Sequence, residues 1–160
     1  MASRTRVAND AWEALLSAHA RLMKQFAAED IWQDLSMREY DVLYTLSKCR
    51  EPLRIGELHR HVLLSQPALS RMVDRLVERG FVERCADPAD GRGVRLSLTD
   101  AGRDKQQQIG RRHARSVARA VAAELSADEV RHLATICRKL AHRPAATGAR
   151  SNDEKETSRI

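Results

Sequence analysis

The chain has 160 residues, of which 42% are hydrophobic, and its 28 lysines and arginines outnumber its 22 aspartates and glutamates for a formal net charge of +6. That length supports one domain with a real core, and the basic balance suits a polyanionic partner such as nucleic acid. No apolar run is long enough to span a membrane and the amino terminus lacks a signal-peptide core, while Cys49, Cys85 and Cys137 lie far apart without a CxxC pair; the expectation is a reduced, cytoplasmic protein with no membrane partner.

A first helix is expected from about Val7 to Ala28, where Trp12, Leu15, Leu16, His19, Leu22, Met23 and Phe26 recur at intervals of three and four. Such a stripe must be covered by a partner helix, from this chain or from a second copy. Trp32 and Leu35 fall in a linker. Ser36-Met37-Arg38-Glu39 then reads as a capping box opening a helix that carries Tyr40, Val42, Leu43, Tyr44 and Leu46 and ends near Cys49, ahead of Pro52. Ile55 to Val62 reads as a short helix, with Leu63-Leu64 as the turn that follows it.

The next helix has both ends marked. Ser65 is placed to accept free N–H groups of the first turn, Pro67 suits that turn, and Gly80 can adopt the left-handed conformation that ends a helix. Leu69, Met72, Val73 and Leu76 form its buried stripe; the opposite face carries Pro67, Arg71, Asp74, Arg75 and Glu78, flanked by Gln66 and Ser70 on one side and Ala68 on the other. A charged outer face is equally what an ordinary amphipathic surface helix shows, so the decision rests on what comes after it. Residues 81–85 and 94–98 are short β-prone runs, and the segment 87–93 between them is dense in turn formers and carries Arg92. Helix, then basic-tipped hairpin, is the order of a winged helix-turn-helix.

Thr99-Asp100-Ala101-Gly102 starts a second long helix running to about Glu124, and Ser126 to Glu129 is a further capping box. Val130, Leu133, Cys137 and Leu140 are the stripe of a last helix. From Arg143 onward almost nothing is apolar, which predicts disorder for 143–160. The fold class is therefore mainly α (α+β), with a two-stranded β wing.

Rival chemistries find little support. There is no Gly-rich phosphate loop, HExxH or nucleophile elbow, so no enzyme and no cofactor are expected. His59 and His61 lie two apart on different sides of a helix, and His132, Cys137 and His142 read better as surface residues than as a metal site. A winged helix that binds protein instead of DNA would present acidic or apolar residues where this one has Gln66, Ser70, Arg71, Arg75, Arg92 and Arg95.

Leu58 through the marked helix, then Val73-Asp74-Arg75-Leu76-Val77-Glu78-Arg79-Gly80-Phe81-Val82-Glu83-Arg84, Asp87-Pro88-Ala89-Asp90-Gly91-Arg92 and Leu98-Thr99-Asp100-Ala101-Gly102-Arg103 closely resemble the MarR family of bacterial transcriptional regulators. The likeness runs from about Trp12 to Leu140. It implies a homodimeric repressor that reads a pseudo-palindrome in double-stranded DNA, with 1–34 and 99–142 as the helical dimerisation region and 35–98 as the winged helix lobe. Position by position, it implies a recognition surface of Ser65, Gln66, Pro67, Ala68, Ser70, Arg71 and Arg75. Arg92 becomes the wing arginine of the minor groove, with Arg95 serving DNA beside it, and Asp90 shapes the wing. Gly91 departs from the pattern, since a second basic residue is common there. The resemblance also implies a phenolic or aromatic effector in a crevice between the dimerisation helices and the DNA-binding lobe. Trp12, His19, Met23, Tyr40 and Tyr44 are the candidates to line it, although aromatics at helical spacing are ordinarily core. A protein-interaction module or a thiol- or metal-sensing regulator stands as the alternative, but the reactive cysteine that some relatives carry near the start of the first helix has no counterpart here.

Overall fold

The computed structural model describes residues 2–141, apart from the side chains of Ala2, Gly91 and Arg92. In chain order they form α1 (Ala2–Ala27), α2 (Met37–Ser47), β1 (Leu53–Arg54), α3 (Ile55–His59), α4 (Gln66–Glu78), β2 (Val82–Asp87), β3 (Asp90–Leu98), α5 (Asp100–Ala122) and α6 (Ala127–Ala141). The chain divides between Ala120 and Val121 into two compact units.

The core of the first unit is organised on the apolar stripe of α4. Leu69, Met72, Val73 and Leu76 are all buried, together with Val42, Leu43 and Leu46 of α2, Leu58 of α3, Val82, Leu96 and Leu98 of the sheet and Ile109 of α5. Burial of each such side chain stabilises the fold by about 1.5–3 kcal/mol before entropy is counted. The outer face of α4 is left to the surface as a consequence.

The sheet is antiparallel in the order β1-β3-β2, so the expected two-stranded wing gains a third strand at its base through the pairs Leu53↔Leu96 and Arg54↔Arg95. The hairpin strands are also longer than the sequence suggests. Pairing runs from Val82↔Leu98 to Asp87↔Asp90 with an irregularity between Ala86 and Asp87, and only Pro88 and Ala89 remain as the connecting turn. The turn-forming composition of 87–93 conceals this extension because a bulge tolerates glycine and aspartate inside a ladder.

Helix ends follow the expected chemistry with one exception. At α2 the Glu39 N–H donates to Ser36 Oγ (3.2 Å) and the Ser36 N–H to Glu39 Oε2 (2.8 Å). At α6 the Ser126 N–H donates to Glu129 Oε2 (2.8 Å). Gly80 takes φ +72° as the chain leaves α4. Ser65 precedes α4 in an extended conformation, yet its hydroxyl makes no capping bond. Pro67 is the second residue of the helix and has no N–H, so one of the two donors that a capping oxygen would serve is absent.

Two further expectations are corrected. The first helix begins at Ala2, not near Val7, and the short helix ahead of α4 ends at His59 instead of Val62. Of the α1 stripe, Phe26 is buried and Leu22 and Met23 half-buried, whereas Trp12, Leu15, Leu16 and His19 are exposed. In the second unit α6 buries none of its side chains and exposes Leu133, Ile136 and Leu140. The segment 143–160, expected to be disordered, lies outside the described residues.

Candidate nucleic-acid interface

The turn into α4 is fixed from α3, where the half-buried His59 ring places Nε2 2.8 Å from the Leu64 carbonyl oxygen. The helix that begins there presents Ser65, Gln66, Pro67, Arg71 and Arg75 as exposed residues, with Ala68 and Ser70 half-buried beside them. Asp74, the acidic residue in the middle of this face, is ion-paired with Arg84 of β2. Its negative charge is thereby offset, while Arg71 has no ion pair among the described residues. Small polar and cationic groups on the amino-terminal half of this exposed helix face, with Asp74 ion-paired and Glu78 left to the far end, suit a groove lined by phosphates and base edges.

The wing is built on a carboxylate that sequence reasoning passed over. The Asp87 side chain is fully buried; Arg54 Nε donates to its Oδ2 at 2.6 Å, Arg95 Nε lies 3.0 Å from its Oδ1, and the Ala89 N–H donates to Oδ1 at 3.0 Å. The Ala89 N–H foremost, then Arg95 and Arg54, hold its pKa down at about 2 against the opposing effect of burial. Arg95 is further tied down by donating from Nη1 to the Pro52 carbonyl at 3.0 Å. Arg95, expected to contact DNA, therefore closes the base of the wing, where its charge is met by the Asp87 carboxylate. Asp90, expected to shape the wing, is about half exposed and lies 3.9 Å from Arg54 Nη2, beside the buried Asp87 anchor. The signals that could have shown this were the Asp-Pro pair opening the turn and Arg54 directly ahead of a helix. The Arg92 side chain lies outside the described residues.

The five candidate effector residues lie in different settings. Tyr40 is buried in an aromatic cluster, its ring centroid 5.5 Å from Trp32, 5.6 Å from His113 and 5.9 Å from Tyr44. His113 also meets Phe26 at 5.3 Å and Trp32 at 5.0 Å. Burial among these rings lowers the His113 pKa below the ordinary imidazole value, with Glu29 opposing the shift. Met23 instead borders a cleft of about 480 Å³ between the end of α1 and the start of α2, together with Lys24, Trp32, Met37 and Arg38. Trp12 and His19 are exposed earlier on α1. Trp32 and His113, absent from the expected set, are the residues that hold the cluster together.

This architecture has known counterparts. Residues 35–94 match the model of the MarR family, and the chain is 31% identical over 107 residues to the multiple antibiotic resistance protein MarR of Salmonella typhimurium, covering 67% of this chain and 74% of that one. The chain belongs to the MarR family. A cysteine-to-serine variant of MarR from Escherichia coli complexed with operator DNA superposes with a TM-score of 0.68 at 28% identity, over 80% of this chain and 91% of the other. The PcaV transcriptional regulator from Streptomyces coelicolor, in complex with its natural ligand, gives a TM-score of 0.61 at 29% identity, over 81% and 87% of the two chains. As a MarR-family protein the chain is a helix-turn-helix transcriptional regulator with a winged helix fold, in which the β2–β3 hairpin is the wing.

Proposed function

We propose that the protein is a repressor that binds a pseudo-palindromic operator as a homodimer, with Gln66, Pro67, Ser70 and Arg71 nearest the base edges. Ser65, Ala68 and Arg75 complete the recognition surface, and Arg92 reaches the minor groove from the wing. The observation that carries this reading is the exposed outer face of α4, cationic and polar in its first half with Asp74 ion-paired to Arg84, opposite a buried inner stripe. The operator-bound relative supports the DNA partner. The exposed apolar residues Trp12, Leu15 and Leu16 of α1 and Leu133, Ile136 and Leu140 of α6 support a second copy, since a dimer supplies the cover that residues 1–34 and 99–142 need.

Release by a small aromatic acid completes the proposal. A relative solved with its natural ligand supports a small-molecule effector, and the cleft beside Met23 combines apolar walls with the cations Lys24 and Arg38. Selection of bound sites from random duplex DNA tests the whole reading. The expected product is an inverted repeat with half-sites about one helical turn apart, enriched less strongly when candidate aromatic acids are present. Enrichment of a single asymmetric site would refute the dimeric operator, and no enrichment at all would refute the regulator as drawn.

A further inference from the structure

Resting on the assignment of α4 as the recognition helix, we infer that Glu39 is a positioning residue for DNA binding, holding Arg75 in the orientation from which its guanidinium meets a phosphate. Glu39 is buried in the first turn of α2, and its two oxygens serve different elements. Oε2 accepts from the Ser36 N–H at 2.8 Å and from Ser36 Oγ at 2.9 Å, which completes the cap of its own helix. Oε1 faces α4, 3.7 Å from Arg75 Nε and 3.9 Å from Arg79 Nη1.

The two arginines are not equivalent. Arg79 has further partners, because its Nη2 donates to the Asp34 carbonyl at 3.0 Å and also pairs with the Asp34 carboxylate, which Lys105 shares. Arg75 has Glu39 as its one ion-pair partner among the described residues, and engages it through Nε. Its side chain is about half exposed and the terminal Nη pair has no ion-pair partner among the described residues. That pair is the end of the fork that matches a phosphate bidentately. Arg75 lies four residues after Arg71, hence one turn further along the same exposed face.

A carboxylate beside a DNA-binding cation has two opposed effects. Its charge repels the duplex, while its grip reduces the rotamer freedom that a long side chain must give up on binding. The sign of one substitution separates them. Glu39→Gln keeps an oxygen for Ser36 and removes the charge. Were Glu39 simply a negative charge near the duplex, the variant would bind every DNA more tightly.

The test is a salt titration of wild type, Glu39→Gln, Arg75→Ala, the double variant and Ser36→Ala on the site selected by the wild-type chain. We expect Glu39→Gln to weaken operator binding about three- to fivefold, the scale of a lost, partly exposed ion pair, and to flatten the salt dependence toward that of Arg75→Ala. The double variant should be no weaker than Arg75→Ala alone. Ser36→Ala breaks the α2 cap but leaves Glu39 facing Arg75, so it should lower the melting temperature and keep the affinity and salt slope. Tighter or unchanged binding by Glu39→Gln, with Arg75→Ala still harmful, would overturn the role of Glu39 alone. Equal losses in Glu39→Gln and Ser36→Ala would also overturn it, by placing the effect in the α2 cap. An Arg75→Ala variant with wild-type affinity and slope would instead remove Arg75 from the assigned recognition surface.

Discussion

Gly102 lies so close to Phe81 that a β-carbon at position 102 would come within 2.0 Å of the Phe81 carbonyl oxygen. The approach locks the start of α5 onto the turn that leaves α4, and Thr99 reinforces it. Its hydroxyl donates to the Gly80 carbonyl at 2.6 Å and accepts the Gly102 N–H at 3.0 Å, while its own N–H donates to the Phe81 carbonyl at 3.2 Å. The far end of α4 is thereby tied to the helix that follows the wing.

Because the obstacle at position 102 is backbone and not a flexible side chain, Gly102→Ala should destabilise the fold by about 1–3 kcal/mol. Thr99→Val, which removes the cap and the tie to Gly80, should cost about 1 kcal/mol. Urea unfolding midpoints measure both. A Gly102→Ala midpoint equal to wild type would contradict the close approach.

The Asp87 anchor makes an acid-side prediction. Its folded pKa of about 2 lies below the ordinary aspartate value of about 3.9, so the folded state favours the ionised form. That contribution to stability is complete above about pH 4 and is lost as pH falls toward 2. Asp87→Asn should flatten stability across this window. It should also lower stability at neutral pH, because Arg54 and Arg95 lose their shared anion. Thermal melts from pH 2 to 6 read both effects, and identical acid limbs in wild type and variant would exclude Asp87 as the group responsible.

His113 predicts a second limb nearer neutrality. Burial depresses its folded pKa below the unfolded value of about 6.5, so the unfolded chain takes up the proton first and stability declines as pH drops below that value. His113→Phe keeps a ring against Phe26, Trp32 and Tyr40 and removes the titration. Its melting temperature should vary less than that of wild type between pH 7 and 5; an unchanged slope would rule out His113 as its origin.

Much of α4 was legible in the sequence because what defines it is local: Pro67 near the start, Gly80 at the end and a stripe of four apolar residues at helical spacing. The capping boxes at Ser36 and Ser126 were legible for the same reason. β1 was not, since two residues show no alternation and become a strand only by pairing with Leu96 and Arg95 more than forty positions away. The partner of Arg95 was hidden as well, because a position in an alternating run gives the sign of its charge but not where that charge is met; that partner is Asp87, beyond a bulge that interrupts the alternation. The aromatic candidates separated for a related reason. Helical spacing places Tyr40 on an inward face, and burial against Trp32 and His113 places it in the core.

The exposed stripe of α6 bears on the oligomer. Leu133→Asp introduces a charge into a surface that the proposed dimer covers, and an unpartnered buried charge costs several kcal/mol. The variant should lose dimer, stability and operator affinity together, as read by light scattering, thermal melts and DNA titration. A well-folded dimer of this variant, or a stable wild-type monomer at micromolar concentration, would contradict the assignment.

The division of labour between helix and wing is tested most directly by titrating Arg71→Ala and Arg92→Ala against operator and scrambled duplexes at several salt concentrations. Arg71→Ala should cost about 1–3 kcal/mol on the operator and relax the base preference at one position in each half-site. Arg92→Ala should weaken operator and scrambled DNA by similar factors and flatten the salt dependence by about one unit of slope per half-site. If Arg92→Ala left binding to scrambled DNA untouched while Arg71→Ala weakened every sequence equally, α4 would not be the element that reads the operator.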